Sequence, residues 1–327
     1  LLEEWSKNRP DIVIADFITL SGGLVANQLG IPWITTMATQ FVLETTDGPP
    51  CFIGGMGSPK NFWQATIQFL GRKATRIVKR IVSFSFRDRL KRYKFKVYNQ
   101  LGQETIYSPY SILAIGMKEL ELKKEFPEHF RWVGPSGASV EAGEDYPLDL
   151  SPFMERKKVL MTCGTQLAWA KENLIYQAKQ LAKAHPDCHF FVTRGVGGEA
   201  FQCEKLMENL SLVSYLPYKE YIPQMDYVIH HGGAGIFYQC IIYGKPALIL
   251  PHDYDQFDYA VRGVEAGIAF TAKRDNSEAI GQAFEKLLAI ENWPELETLR
   301  KAAQSYHPTE ILESEIHRLL ADKEKDK

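Results

Sequence analysis

Paired cysteines are missing from this chain. Its five cysteines (Cys51, Cys163, Cys188, Cys203 and Cys240) include no C-x-x-C pair, so neither a disulfide framework nor a zinc site is expected, and a reducing, cytoplasmic compartment fits best. Long apolar runs are also missing. No segment approaches the roughly 20 apolar residues that carry a helix across a bilayer. The opening Leu1-Leu2-Glu3-Glu4-Trp5 lacks the basic–apolar–small order of a signal peptide and reads as the tail of a helix. Acid is almost absent from one window: Lys60 to Lys96 holds twelve Lys or Arg against Asp88 alone, inside a chain whose formal charge is −2. That total does not suggest a nucleic-acid binder. What remains, 327 residues at 45% hydrophobic and 24% charged, is an ordinary globular composition and excludes disordered and collagen-like classes.

Strand and helix signals alternate along the chain. Asp11–Asp16, Trp33–Thr36, Ser111–Ile115 and Arg131–Val133 read as strands of a first half, the first two joined by a helix. Residues 136–152, rich in Gly, Pro, Ser and acids, read as an interdomain linker. Beyond it, strands are expected at Lys158–Thr162, His189–Thr193, Leu212–Ser214, Asp226–His230, Ala247–Leu250 and Ile268–Thr271. Helices are expected near 172–184, 201–208, 235–243, 256–266 and 277–290. The strands are continuously apolar, as in a parallel sheet covered on both faces. The expectation is an α/β protein of two doubly wound domains, 1–135 and 153–327, with ligand at the carboxyl ends of the strands.

Two strand-end segments carry chemistry. In Tyr227-Val-Ile-His230-His231-Gly232-Gly233-Ala234-Gly235 a strand runs into a Gly-rich turn that opens a helix. Small residues there let backbone N–H groups and the helix dipole approach a phosphate, although the glycines also suit a plain tight turn. Pro251-His-Asp-Tyr-Asp255-Gln256 follows the next strand, and its carboxylate and carboxamide can hold adjacent sugar hydroxyls. An Asp in that place serves equally as a helix cap.

Taken together, HHGGAG (230–235), GKPALILP (244–251), the following DQ and AVRGVEAG (260–267) resemble the donor signature of family 1 glycosyltransferases, enzymes of the GT-B fold. VLMTCGT (159–165) resembles the first strand and loop of their C-terminal domain, and RWVGP (131–135) the end of their N-terminal domain. The resemblance implies two Rossmann-like domains and metal-independent, inverting transfer of a hexose. The donor would be a nucleotide-diphosphate sugar of UDP-glucose type, and the acceptor a hydroxyl on an apolar small molecule or lipid. It implies no cofactor besides that co-substrate and no nucleic-acid partner. His230 and the backbone of Gly232, Ala234, Gly235 and Ile236 would hold the diphosphate with Gly164 and Thr165. Tyr215 would stack on the base and Leu216 would bond its edge, while Asp255 and Gln256 would hold the sugar. Tyr218 stands where the family has Gln, and Tyr238 where many members have a ribose-binding Glu, so ribose recognition is not implied.

Asp16 matches the aspartate that orients the family's catalytic histidine, though a strand-end Asp also caps the next helix. None of the eight histidines can be that base, since all follow Asp16. The N-terminal domain is therefore expected to be incomplete at its start, and the last helix to pack back on it. Alternatives are an epimerase or hydrolase acting on the donor alone, and a chain that binds a nucleotide sugar without turnover. Ser58-Pro59 reads as the start of a basic amphipathic helix, 59–82, that Gly71 could break. The positions Trp63, Ile67, Leu70, Ala74, Ile77, Val78 and Ile81 share one face. That face is expected either to cover an acceptor cleft, with the charges in water, or to lie on the inner face of an anionic membrane.

Overall fold

The computed structural model describes residues 1–135, 147–195 and 200–325. Most of the expected linker, residues 136–146, lies outside the described residues. The chain forms two compact units, Leu1–Ser136 with Tyr306–Lys327, and Gly137–Ser305.

The first unit opens with α1 (Leu2–Lys7), then β1 (Val13–Asp16), α2 (Leu20–Leu29) and β2 (Trp33–Met37). After a long excursion containing α3 (Phe62–Ser85) and α4 (Arg87–Arg92), the chain returns as β3 (Ser111–Ala114) and β4 (Phe130–Trp132). The four strands are parallel and lie in the order β1-β2-β3-β4. Strand alternation sends Val13, Ala15 and Trp33 to one face, where they pack with Ala26 of α2 and with Ile31. Ile34, Leu113 and Val133 face the other way and are covered by the chain's last helix, through Ile311, Leu312, Ile316 and Leu319. Lys323 of that helix pairs with Asp11 at 2.9 Å.

The excursion corrects three expectations. Asn61, rather than Ser58, caps α3: its side chain accepts from Gln64 N at 2.9 Å, and Gln64 Oε1 accepts from Lys60 N at 2.6 Å. Gly71 does not interrupt the helix, because the backbone there is covered by Pro50 and Ile53. Most importantly, the faces are reversed from the acceptor-cleft expectation. The inner stripe is polar. Gln68 donates to Gly57 O at 2.5 Å, Arg72 to Gly48 O and Arg76 to Gly102 O. Lys79 meets Glu104 at 2.6 Å and Glu44 at 3.5 Å. Trp63, Ile67, Leu70, Ile77, Val78 and Ile81 point to solvent.

The second unit is a seven-stranded sheet. It comprises β5 (Lys157–Thr162), α5 (Lys171–Ala184), β6 (Cys188–Thr193), β7 (Cys203–Met207), β8 (Leu210–Val213), α6 (Tyr218–Tyr221) and β9 (Tyr227–His230). It continues with α7 (Ala234–Ile242), β10 (Ala247–Ile249), α8 (Gln256–Glu265), β11 (Ala269–Thr271), α9 (Ser277–Leu288) and α10 (Pro294–Gln304). The helix on the first unit, Pro308–Lys325, is α11. Strand order is β11-β10-β9-β5-β6-β8-β7, and all pairs are parallel except β7 with β8. β6 is buried along its whole length, as two-sided cover requires. The helix expected at 201–208 is instead the edge strand β7. Asn209 decides this: its amide donates to the carbonyls of Ala182, His185 and Cys188, which fixes a tight turn and folds β7 back along β8.

Candidate functional site

Chain order moves outward from β5 to β6 on one side and returns to β9 on the other, so β5 and β9 flank the topological switch point of the second unit. In open α/β sheets this is where the strand ends open a crevice for a ligand. Thr162 and His230 are register partners there. Beyond them the loops part around a cavity of about 210 Å³ lined by Gly164, Thr165, Gln166, Thr193, Gly195, Tyr215, Leu216, Tyr218, His231, Gly233, Gly235 and Ile236.

The loops are held by hydrogen bonds that the sequence does not announce. The Thr162 hydroxyl accepts from Gly164 N at 3.0 Å and from Thr193 Oγ1 at 2.9 Å, and lies 3.0 Å from the Tyr218 hydroxyl. Tyr218 thereby lines the cavity and braces its floor. Lys171, on the first turn of α5, donates to Gly164 O at 2.5 Å and also to Arg194 O. Gly195, at φ 65°, must be glycine, because a Cβ would meet Gly164 O at 2.2 Å.

The mouth of α7 suits an anion. Its cap is Gly233 and its first turn carries no acid. The leading N–H groups of a helix have no intrahelical partner, and the dipole makes that end positive.

The two adjacent histidines separate cleanly, and the structure does not bring His230 into the cavity lining. The His230 side chain is 1% exposed and turned beneath the turn, where Nδ1 accepts from Gly232 N at 3.0 Å. Burial pushes its pKa down to about 3. Its Nε2 has no hydrogen-bond partner, but the ring does not line the cavity. His231 lines the cavity instead, against Gly164 and Gly233, and its Nδ1 has no hydrogen-bond partner. Burial foremost, then His252 and Lys171, pushes its pKa down to about 4, so the ring is neutral near pH 7. Strand alternation is the signal that separates the pair: His230 is the last residue of β9 and His231 the first of the turn.

The other expected residues divide into four groups. Gly164, Thr165, Tyr215, Leu216, Gly235 and Ile236 line the cavity. Gly232 lies in the turn and Ala234 opens α7, both outside the lining. Gly232, at φ 91°, instead lets two loops touch, since a Cβ would sit 2.9 Å from Gln256 O. Asp255 and Gln256 head α8 in that neighbouring loop. The Asp255 side chain does not cap the helix. Gln256 Oε1 accepts from His252 N at 2.8 Å and Asp253 N at 3.1 Å, so its buried carboxamide holds this loop. Asp16 belongs to the first unit. It is exposed at the end of β1, and its Oδ1 accepts from Ile18 N at 3.0 Å. Tyr238 is buried against Phe237 and Tyr259, with no face toward the cavity.

The profile of the erythromycin biosynthesis protein CIII-like, C-terminal domain family matches residues 197–316. The chain is 25% identical over 273 residues to the NDP-glycosyltransferase YjiC of Bacillus subtilis, covering 82% of this chain and 61% of that protein. The chain has the GT-B fold and is similar to family 1 glycosyltransferases. It is also 27% identical over 283 residues to UDP-glucuronosyltransferase 2A2 of Mus musculus, covering 79% of this chain and 50% of the relative. Among solved structures, the glycotransferase of kitacinnamycin superposes with a TM-score of 0.69 at 19% identity, covering 97% of this chain and 77% of that one. The spinosyn rhamnosyltransferase SpnG complexed with thymidine diphosphate superposes with a TM-score of 0.61 at 16% identity, covering 96% and 76%. These structural likenesses concern the fold. This GT-B chain spans between half and two thirds of the curated relatives' length.

Proposed function

We propose that the whole protein transfers a hexose from a nucleotide-diphosphate sugar of UDP-glucose type to a hydroxyl of an apolar small molecule or lipid, with inversion and without a metal. The observation that carries this reading is the single cavity that joins the acid-free mouth of α7, the partnerless Nδ1 of His231 and the rings of Tyr215 and Tyr218. The positive dipole end of α7, with its unpaired N–H groups, meets the charge that a metal would otherwise neutralise, and neutral His231 adds a ring nitrogen beside it. Tyr215 offers a face to the base, and the Leu216 backbone offers its edge a partner. Tyr238, being buried, takes no ribose hydroxyl.

In the reaction, the acceptor oxygen forms a bond to the anomeric carbon as the bond from that carbon to the phosphate oxygen breaks. The nucleoside diphosphate leaves into the α7 mouth, and the acceptor proton passes to a general base that Asp16 orients. Asp255 and Gln256 hold the sugar hydroxyls, and the transferred sugar takes the opposite anomeric configuration. The enzyme would work in the cytoplasm, at the inner face of a membrane. Thermal shift tests the site. Uridine diphosphate should raise the melting temperature, and Asp255→Ala should weaken UDP-glucose by about tenfold while leaving the bare diphosphate nearly unchanged. Equal weakening of both would make Asp255 structural and remove it from the sugar site.

A further inference from the structure

We infer that the outward face of α3, with the basic segment that follows it, is a docking surface for an anionic lipid bilayer. This deepens the membrane contact of the proposed function but stands on residues that donor chemistry does not involve. Over 24 residues α3 sends Trp63 (73% exposed), Leu70 (59%), Ile77 (57%) and Ile81 (62%) to solvent along one stripe. Phe62, Phe84 and Phe86 extend it at both ends. An apolar patch this continuous is a contact surface on a folded protein.

The helix cannot roll to hide it. Its opposite stripe is tied down by Gln68, Arg72, Arg76 and Lys79, and Lys79 compensates Glu104, whose side chain is only 3% exposed. Turning the helix would strand that carboxylate in the core.

Charge selects the occupant. Of the twelve basic residues between Lys60 and Lys96, those three (Arg72, Arg76 and Lys79) face inward. The other nine, including Lys73, Arg80, Arg89 and Arg92, are exposed. The one acid of the segment, Asp88, already faces Arg87 at 3.8 Å. Apolar side chains bordered by cations are what an anionic leaflet receives: the stripe enters the acyl boundary while the cations meet headgroups. A second copy fits poorly, since a two-fold contact would set this cationic border against itself. No helix among the described residues is long and apolar enough to cross a membrane, so the contact is peripheral.

Sedimentation with vesicles tests this on the 327-residue chain. Vesicles of phosphatidylcholine with phosphatidylglycerol should bind it about tenfold or more tightly than phosphatidylcholine alone, and added salt should reduce the difference. Trp63→Glu with Ile77→Glu should abolish binding to both. Arg89→Glu with Arg92→Glu should remove the anionic preference by about tenfold, leaving the apolar stripe intact. Circular dichroism and the UDP thermal shift confirm that these variants fold. Independently, the emission blue shift on anionic vesicles should disappear in Trp63→Phe. Absence of partition, or equal partition of the Trp63→Glu/Ile77→Glu variant, would overturn the inference. So would a dimer in solution that Ile77→Glu dissociates without any lipid binding.

Discussion

At His230 the imidazole is sealed from water, and burial holds its pKa at about 3, against about 6.5 for the same residue in an unfolded chain. Protonation would also remove the lone pair on Nδ1 that receives the Gly232 N–H. The unfolded chain therefore takes up the proton first. The contribution to stability is complete above about pH 6.5 and is lost as pH falls toward 3, at a rate approaching about 1.4 kcal/mol per pH unit for this one group. Asparagine can accept the same N–H without titrating, so His230→Asn should flatten the decline in urea-unfolding stability between pH 7 and pH 5. An unchanged slope would mean that other groups control it. The sequence places this pair at a strand end, and alternation separates its members only once the last residue of β9 is fixed. Glycines 164, 235 and 195 show the same limit from another side. The first two are readable from motif context. Gly195 matters only because β6 brings the chain against Gly164 O.

Elements were legible where one strong pattern acts alone. The apolar runs of β5, β6 and β9 mark buried parallel strands, and the periodic segments of α5, α8 and α9 mark helices covering them. Two elements ran against their local pattern, each for a tertiary reason. β7 is a strand because Asn209 anchors the turn after it. α3 is the helix its periodicity suggests but faces the other way, because half-buried Glu44 and the buried carboxylate of Glu104 draw its cations inward. Burial raises the pKa of Glu104, and the Lys79 ammonium works against that rise. Lys79→Ala would leave the carboxylate without its cation, held only by the Glu44 N–H. We expect it to cost the first unit on the order of 3 kcal/mol in denaturant unfolding. Lys79→Ala combined with Glu104→Gln should recover much of that loss. A Lys79→Ala cost within about 0.5 kcal/mol of zero would show that the pair does not fix the orientation of α3.

At the scale of the molecule, strand count and alternation indicate two α/β units, yet nothing local in α11 shows where it packs. Its Ile311, Leu312, Ile316 and Leu319 form an ordinary apolar stripe, and only the uncovered face of β2 and β3 makes them part of the first unit. Strand order is equally non-local. The switch between β5 and β9 is what gathers the loops after Thr162, Thr193, Val213 and His230 around one cavity, although they are far apart in sequence. That cavity and the histidine inside it form the proposed donor site. Calorimetric titration of uridine diphosphate into the chain tests it directly. We predict binding that His231→Ala weakens by about tenfold or more and that His230→Asn leaves within about threefold of the parent. The reverse order, with His230→Asn abolishing binding and His231→Ala sparing it, would contradict the account.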